Sequence, residues 1–343
     1  MDGRRIKNME EFAALSGISR PTVSKYFNDP TSVRQATRKR IEAALEQYDY
    51  RPNIFAVNQN RRNTKNIGIV VPYLADPFFA EIARNIEQRC IEAGYFPILF
   101  SSHGEKELET DVLDTLRSLK PAGVLLAPLG RRSDRGAVER FCHDVPTILF
   151  DSEMDALGEA FVGSNNPQSV GLMVEYLCRT GEPPSFLEMK APTNPNARKR
   201  HAAYVAAMER FGHAPMLVRV PGAGWDFERI GYEAGMRQLA GAGFPTDTVL
   251  CSNDRLAIGL LAAAFESGRR VGHQDGSDFR IAGHDDHPFA RYTSPSLTTV
   301  SQDYAAIAEK SLSLIFETIE AGGTLDERRT ILFEGKLVMR MSA

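Results

Sequence analysis

The chain has 343 residues, of which 43% are hydrophobic and 25% are charged. This composition is ordinary for a folded protein and excludes the collagen-like, low-complexity and disulfide-stapled classes. The length exceeds that of one average domain and predicts two or three. The sequence contains no run of 18 apolar residues, so we expect no transmembrane helix and no membrane partner.

Positive charge is concentrated near the N-terminus. Residues 1–65 contain 13 Lys and Arg against 7 Asp and Glu, a balance of +6, whereas the other 278 residues contain 28 and 37, a balance of −9. A basic segment on an acidic body indicates that the segment binds a polyanion. Nucleic acid and an anionic membrane surface both fit this charge pattern.

The N-terminus and the cysteines predict a cytoplasmic protein. Residues 1–7 contain no apolar segment of the kind found in secretory signals. The four cysteines lie 36 to 73 residues apart and form no CxxC pair, which disfavours a structural zinc site or a redox dithiol. We expect buried free thiols in a reducing compartment at Cys90, Cys142, Cys178 and Cys251.

In chain order, the first elements are two short helices joined by a glycine. Asn8 is an N-cap residue with Glu11 at the third helical position, the spacing of a capping box. Gly17 tolerates the positive φ that ends a helix, and Ser19 is a second N-cap. This spacing is typical of a helix-turn-helix.

The second helix, Arg20 to Phe27, is the predicted recognition helix. Pro21 lies in its first turn, where a missing N–H costs nothing. Val23 and Phe27 are expected to face inward. Outward residues near the start of such a helix reach base edges, and here they are Arg20, Thr22 and Lys25.

A third helix is predicted from Gln35 to Tyr48, with Ile41 and Leu45 on its apolar stripe. Basic residues crowd its start, where positive charge is unfavourable. Phosphate contact explains that placement, and a solvated basic face is the alternative. The basic residues are Arg34, Arg38, Lys39 and Arg40.

The rest of the chain is predicted to alternate strands and helices. A polar linker with one short helix, Pro52 to Asn58, occupies residues 51–65. From Ile67 onward, continuous apolar runs such as IGIVVP, GVLLA and TVLC alternate with amphipathic segments. Such runs are typical of parallel strands covered on both faces. Their number indicates two α/β lobes with a cleft between them.

Polar residues follow several of these strands. Ligands of open α/β sheets bind beyond the carboxyl ends of the strands, so these residues are candidate ligand contacts. Short polar side chains suit a polyhydroxylated small molecule, and Trp225, the only tryptophan, offers a face for stacking on a sugar ring. The strand-end residues are Asp76, Asp151, Asn253, Asp254, His284, Asp285 and Asp286.

Signals for catalysis or metal binding are weak. Adjacent loop residues such as His284 to His287 rarely converge on one ion. The sequence contains no GxSxG nucleophile elbow and no GxxxxGK[ST] phosphate loop. We therefore expect no enzymatic activity, no metal and no cofactor.

Taken together, these segments resemble the LacI/GalR family of bacterial transcription repressors, over nearly the whole chain. ALSGISRPTVSKYFN (14–28) and RKRIEAALEQYDYRPN (38–53) resemble the family's helix-turn-helix, third helix and hinge entry. In the body the resemblance rests on IGIVVP, DPFFAEI (76–82), LCSNDRLAIGLL, GHDDHPFARYTSPSLTTVSQD and the pair Arg200 and Tyr204.

The resemblance implies an N-terminal all-α helix-turn-helix domain followed by an α/β two-lobed domain of the periplasmic-binding-protein type, built on parallel sheets. By the same resemblance, the first domain is expected to bind DNA, and the second is expected to bind an effector and to dimerise. The implied boundaries are residues 1–50 for the helix-turn-helix, 51–65 for the hinge and 66–343 for the two-lobed domain, with lobe 1 at 66–163 and 303–327 and lobe 2 at 164–302 and 328–343.

The function implied by the resemblance is sequence-specific transcriptional repression. A homodimer would bind a pseudo-palindromic operator at the nucleoid, and a small molecule, with a sugar favoured, would control its affinity. The alternative is a sugar- or purine-binding protein without direct DNA regulation. The basic N-terminal segment and the lack of a signal peptide count against that alternative.

The resemblance also assigns roles to individual residues. The DNA contacts would be Ser19, Arg20, Pro21, Thr22, Ser24, Lys25, Asn28, Arg34, Tyr50, Asn53 and Ala56. The effector contacts would be Phe78, Phe79, Asp151, Arg200, Trp225, Asn253, Asp285 and Gln302. Each has a structural alternative: the aromatic residues also suit core packing, and the aspartate and asparagine at strand ends also suit capping of the next helix.

Three departures from the family pattern affect these expectations. Gln59 stands where the family places a leucine that wedges between base pairs, so either Val57 substitutes or the DNA bend is smaller. Ala203 replaces a glycine. The sequence ends without a leucine-rich tail, which predicts a dimer rather than a tetramer.

Overall fold

The structure, a computed structural model, describes residues 6–28, 30–51 and 64–343. The chain divides into two compact units, Met1–Thr64 and Lys65–Ala343, which are called the head and the body below. Most of the predicted hinge lies outside the described residues, including its expected short helix and the positions Asn53, Ala56, Val57 and Gln59.

The head forms the three predicted helices, which are α1 (Met9–Ser16), α2 (Arg20–Asn28) and α3 (Gln35–Tyr48). The predicted caps of α1 are confirmed. The Asn8 side chain accepts a hydrogen bond from the Glu11 N–H at 2.9 Å, and Gly17 ends the helix with a φ of 63°.

The three helices share one small core. Phe12 of α1, Val23 of α2 and Ile41 of α3 are fully buried against one another's helices. Because Val23 faces inward, the remainder of the first turns of α2 faces outward. Core packing thus decides which side of α2 is available to a partner.

The body contains twelve strands and eight helices among its described residues. The strands are β1 (Asn66–Val71), β2 (Phe96–Ser101), β3 (Gly123–Leu126), β4 (Thr147–Phe150), β5 (Ala160–Ser164), β6 (Ser185–Met189), β7 (Leu217–Val220), β8 (Thr248–Cys251), β9 (Arg280–Ala282), β10 (Thr299–Ser301), β11 (Arg329–Phe333) and β12 (Lys336–Val338). The helices are α4 (Pro77–Glu92), α5 (Lys106–Leu119), α6 (Arg135–Asp144), α7 (Asn166–Thr180), α8 (Ala197–Arg210), α9 (Phe227–Ala240), α10 (Asp254–Glu266) and α11 (Tyr304–Glu320).

Two parallel sheets define two lobes. Lobe 1 has six strands in the order β11-β5-β4-β3-β1-β2, and lobe 2 has four in the order β7-β6-β8-β9. Neighbouring residues of β1 belong to different apolar clusters, with Ile69 in one and Val70 in the other. This alternation confirms the prediction of sheets covered on both faces.

One predicted boundary is wrong. Residues 328–343 were expected in lobe 2, but β11 pairs in parallel with β5 of lobe 1, with Arg329 opposite Ala160 and Phe333 opposite Ser164. The chain crosses to lobe 2 only after Phe333, where β12 pairs with β10. An apolar run such as RTILF fits the edge of either sheet, so its local sequence does not reveal which one it joins.

The lobes are linked by three crossings of the chain, from β5 to α7, from β10 to α11 and from β11 to β12. The carboxyl ends of β4 and of β8 therefore face a common cleft. Within the described ranges, no helix is both long and apolar enough to cross a membrane.

Two glycines bring α9 and α10 of lobe 2 into backbone contact. A Cβ added at Gly259 would lie 2.0 Å from the Glu228 carbonyl oxygen, and one added at Gly231 would lie 2.2 Å from the Leu256 carbonyl oxygen. No side chain fits at either position. This approach places Glu228 beside Arg255, the second residue of α10.

Replacing Gly259 with alanine should destabilise the body. The added methyl group meets backbone atoms that side-chain rotation does not move, so we expect a loss of about 1–3 kcal/mol in the free energy of unfolding. Gly171→Ala is the matched control, because its Cβ would meet nothing closer than an Arg210 nitrogen at 3.7 Å. The control should gain about 0.5–1 kcal/mol from helix propensity. Urea unfolding of both variants tests this, and equal stabilities would refute the close contact.

Candidate functional site

The outward side of α2 carries five of the eleven predicted DNA-contacting residues. Arg20, Pro21 and Lys25 are exposed, and Thr22 and Ser24 are half-buried. The start of the helix thus presents two cations and two hydroxyl groups. These groups hydrogen-bond base edges and phosphates in protein–DNA interfaces.

Local contacts hold these side chains. The Ser19 hydroxyl lies 2.8 Å from the Thr22 hydroxyl, while the Ser19 carbonyl accepts from the Val23 N–H at 3.0 Å. Arg20 Nε lies 3.5 Å from the Glu10 carboxylate, and the two side chains are 64% and 72% exposed. Such an exposed pair is weak, so Arg20 can exchange Glu10 for a phosphate or a base.

Tyr50 does not lie on this surface. It is only 6% exposed, and its ring stacks on Phe12 with the centroids 4.7 Å apart. Its ring is therefore part of the head core, as suits a large aromatic side chain, and its DNA contact stays a prediction. Arg34 is exposed at the start of α3, whereas the side chain of Asn28 lies outside the described part of the head.

In the body, polar residues from both lobes line one narrow cleft. The free space inside it is about 20 Å³, which is room for about one water molecule. Seven of the eight predicted effector contacts line it. The lining residues are Asp76, Phe78, Phe79, Asp151, Asn194, Arg200, Asn253, Arg255, Asp285 and Gln302.

The centre of the cleft is a buried ion pair between Arg200 and Asp285. Arg200 is 3% exposed, and its Nη2 lies 2.5 Å from Asp285 Oδ1. Its other nitrogens donate to the Ser252 carbonyl at 2.8 Å and to the Asn166 side chain at 3.2 Å. Every nitrogen of the guanidinium therefore has a partner, as a buried charge requires.

Two further donors reach the same oxygen of Asp285. Gln302 Nε2 lies 2.6 Å from Oδ1, and His284 Nδ1 lies 3.1 Å from it. Burial opposes ionisation, but the Arg200 guanidinium and the His284 ring outweigh it and lower the pKa of Asp285 to about 2. Among the described residues no hydrogen bond reaches Oδ2, so an ionised oxygen is left for a donor group on a ligand.

The tautomer of His284 follows from these contacts. Burial, followed by the Arg200 charge, lowers the pKa of His284 to about 4, so the ring is neutral at pH 7. Ionised Asp285 only accepts, so His284 donates through Nδ1–H. Its Nε2 then accepts from the Ser169 hydroxyl, 2.9 Å away. His284 thus orients Asp285 rather than contacting a ligand itself.

Asp151 presents a second carboxylate from lobe 1. It follows β4 with a φ of 59°, and its Oδ1 accepts from Asn196 Nδ2 of lobe 2 at 2.7 Å. Burial raises its pKa to about 7, although the Arg200 and Lys199 charges act in the opposite direction. Asp285 has an even less usual φ of 129°. Such strained backbone at strand ends is common in ligand sites.

Two cleft residues were not among the predicted contacts. Arg255 Nη1 donates to Asp76 Oδ2 at 3.0 Å, which joins lobe 2 to lobe 1. Asn194 also lines the cleft. Asp76 was noted as a strand-end residue, but Arg255 follows Asn253 and Asp254 at the start of a helix, where an arginine is usually solvated. The sequence feature that could have identified Arg255 as a cleft residue is its position shortly after the end of a predicted strand.

The aromatic residues divide between cleft and core. Phe79 is 3% exposed and Phe78 is half-buried against the Tyr304 ring, so both pack as well as line the cleft. Trp225 is 6% exposed and does not line the cleft. Its indole is stacked on Tyr73 of lobe 1, with centroids 5.3 Å apart. In this arrangement Trp225 is a packing residue rather than a free stacking surface.

Asn253 has both of the roles considered for it. Its Oδ1 accepts from the Leu256 N–H at 2.8 Å and caps α10, while the residue also lines the cleft. Asp76 caps α4 in the same way through the Phe78 N–H. Within the part of the chain that the structure describes, no group of three or more His, Cys, Asp or Glu is arranged to hold a metal ion.

Both parts of the chain are similar to known proteins. Residues 8–53 match the family model of bacterial regulatory proteins of the lacI family, and residues 177–343 match a periplasmic binding protein-like domain. The chain is 27% identical to the ribose operon repressor of Escherichia coli (strain K12), over 94% of this chain and 95% of that protein. It is 28% identical to the HTH-type transcriptional repressor PurR of Mannheimia succiniciproducens, over 97% and 98%.

Solved structures agree with these matches. A lac repressor dimer bound to operator and the anti-inducer ONPF is 25% identical, with a TM-score of 0.83 over 98% of each chain. A protein from Sanguibacter keddieii assigned to the LacI family is 30% identical, with a TM-score of 0.68 over 81% of this chain and 98% of that one.

The fold and the cleft define a two-lobed ligand-binding protein with a helix-turn-helix head. The chain belongs to the LacI family of bacterial regulatory proteins, and it is a DNA-binding transcriptional regulator rather than an enzyme.

Asp151 should make the stability of the body depend on pH. Its pKa is raised from 3.8 to about 7, so between these values the folded state holds a proton that the unfolded chain has released. The contribution of this proton to the free energy of unfolding is complete below pH 3.8, the pKa of Asp151 in the unfolded chain. It is lost as pH rises towards 7, by at most about 1.4 kcal/mol per pH unit. Asp151→Asn should flatten this slope in thermal unfolding.

Burial also raises the pKa of Asp254, so Asp254 adds to the pH dependence of the wild type. The difference in slope between the wild type and Asp151→Asn isolates the contribution of Asp151. Asp114→Asn is the control, since Asp114 is on the surface with a side chain 68% exposed. Identical pH slopes for wild type and Asp151→Asn would show that Asp151 stays ionised.

Proposed function

We propose that the chain represses transcription as a dimer on a pseudo-palindromic operator, under the control of a neutral sugar bound between the lobes of the body. The observation that supports this effector class best is that both guanidinium groups of the cleft are already neutralised by carboxylates of the chain itself.

The charge balance of the cleft disfavours an anionic effector. Arg200 is paired with Asp285, and Arg255 is paired with Glu228 and Asp76. Asp151 adds a further carboxyl group. A phosphate would have to displace one of these carboxylates from its arginine. Hydroxyl groups instead donate to carboxylate oxygens and accept from amides, which matches this lining.

The aromatic residues favour a sugar over a flat heteroaromatic base. A purine would need an open ring face on which to stack. The largest ring near the cleft, Trp225, is already stacked on Tyr73, and Phe79 is buried. The half-buried ring of Phe78 lines the cleft and packs edge-to-face with Tyr304. The ribose operon repressor among the relatives accords with a sugar effector for this chain.

A dimer is supported by apolar side chains left exposed on both lobes. Leu74 and Leu99 are 41% and 40% exposed beside a groove of lobe 1. Phe265 and Tyr292 of lobe 2 are 82% and 77% exposed. Where such side chains lie side by side, as Leu74 and Leu99 do at the groove, they suit a self-complementary two-fold contact. The lac repressor structure similar to this chain is also a dimer.

A dimer would place two copies of α2 in successive major grooves of the operator. The effector would then alter operator affinity by binding one arrangement of the lobes better than another. A hundredfold change in affinity requires about 2.7 kcal/mol of coupling between the two sites.

Operator binding should depend on Lys25 and Arg20. Lys25→Ala should weaken binding to all sequences and lower the salt slope by about one unit, as expected for a phosphate contact. Arg20→Ala should relax sequence preference at one position, at a cost of about 1–3 kcal/mol. A DNA site selected from a random pool with the wild-type chain provides the probe for titration at several salt concentrations.

Arg237→Ala serves as the control, because Arg237 is an exposed arginine of the body. It should bind the selected site as the wild type does. Unchanged selectivity and salt slope in both α2 variants would mean that another surface binds DNA.

Effector binding should require Arg200. Thermal unfolding against a panel of monosaccharides, disaccharides, phosphosugars, polyols and purines should yield its hit among the neutral sugars. A true ligand at one hundred times its Kd adds about 2.7 kcal/mol of stability. Arg200→Ala should abolish that stabilisation and leave affinity for the selected DNA intact. A hit confined to phosphosugars or purines would overturn the proposed effector class.

A further inference from the structure

Side chains of this chain join its two lobes directly across the cleft. The contacts have different chemistry: an ion pair, an amide–carboxyl hydrogen bond, an aromatic stack and a hydroxyl–carbonyl hydrogen bond. In that order they are Asp76 with Arg255, Asp151 with Asn196, Tyr73 with Trp225, and Tyr304 with the carbonyl of Asp285.

The ion pair is held in place from both sides. On lobe 2, Glu228 binds Arg255 through two hydrogen bonds of 2.6 and 2.7 Å, and the guanidinium lies 5.1 Å from the centre of the Phe227 ring. On lobe 1, Asp76 is fixed by its cap contact to the Phe78 N–H at 3.0 Å. Both side chains are already restrained by these contacts, so forming the ion pair costs little side-chain conformational entropy.

The surroundings make the pair stronger than a surface ion pair. The side chains of Asp76 and Arg255 are each 12% exposed, so solvent screens them little. Opening the cleft would separate the two charges while Glu228 stays with Arg255. Opening thus exchanges the poorly screened attraction between Asp76 and Arg255 for hydration of the Asp76 carboxylate.

We propose that Arg255 is a positioning residue of the effector cleft: through Asp76 it holds the two lobes together, and an effector hydroxyl reaches Asp76 only by replacing Arg255. The consequence for effector entry rests on the proposed function. The closing contact itself does not, because it is a property of the body alone.

Trp225 provides a built-in reporter of this contact. It is the only tryptophan of the chain, it is 6% exposed, and it lies between the lobes against Tyr73. If the lobes separate, water and small quenchers reach the indole. The emission maximum then shifts to longer wavelength and quenching by acrylamide increases.

The test is a double-mutant cycle on the full chain, without DNA or ligand. Arg255→Gln and Asp76→Asn should each raise the open fraction about tenfold, within the range for residues in direct contact. The double variant should show no more quenching than either single variant, because both remove one contact. Asn at position 76 still caps α4, so the helix is retained.

Arg229→Gln is the matched control. Arg229 lies on α9 near Trp225, and its partners Asp226 and Glu233 both belong to lobe 2. Trp225 emission should be unchanged in it, and far-UV circular dichroism should show that all variants are folded. Unchanged quenching in both cleft variants, purely additive effects, or an equal change in Arg229→Gln would overturn the proposal.

The outcome is separate from that of the proposed function. A chain that binds neither the selected DNA nor any sugar would refute the repressor mechanism, yet the fluorescence cycle would still show whether Arg255 closes the cleft. Conversely, a sugar-responsive repressor with unchanged Trp225 quenching would refute only the closing role of Arg255.

Discussion

The cleft depends on the buried ion pair between Arg200 and Asp285. A guanidinium that is 3% exposed is stable only if every nitrogen has a partner, and here the partners come from three separate segments of lobe 2. Satisfying that one charge fixes the start of α7, the end of β8 and the loop after β9 relative to one another. The same oxygen of Asp285 also accepts hydrogen bonds from Gln302 and His284. The polar atoms available to a ligand are those that these hydrogen bonds within the protein leave without a partner.

Helix packing places the second charged group of the cleft. Because Gly231 and Gly259 carry no side chain, α9 and α10 approach until their backbones touch, and Glu228 meets Arg255 at that crossing. Arg255 is then directed at Asp76 on the opposite lobe. The same packing thus stabilises lobe 2 and supplies a contact that joins the lobes. Core and cleft are therefore not independent regions in this protein.

Much of the local structure was predictable because it depends on neighbours in the sequence. The caps at Asn8 and Gly17 and the apolar runs of the strands all gave correct elements. Strand-end polarity identified Asp151, Asn253 and Asp285 as cleft residues, since parallel strands expose their carboxyl ends together. For Tyr50 the sequence suits either a DNA contact or core packing, and only the contact with Phe12 shows that its ring lies in the core.

The sequence by itself determined the three helices of the head, the alternation of strands and helices in the body, the basic head, the two-lobed body and the family. These follow from short-range periodicity, capping and motif order. Tertiary structure alone decided which sheet β11 joins, that Trp225 packs on Tyr73, and that Arg255 reaches Asp76 across the cleft. The partners in such contacts are far apart along the chain, and a single side chain is chemically suited to many of them. Which pairing forms is set by the burial of charge and aromatic surface once the lobes have folded.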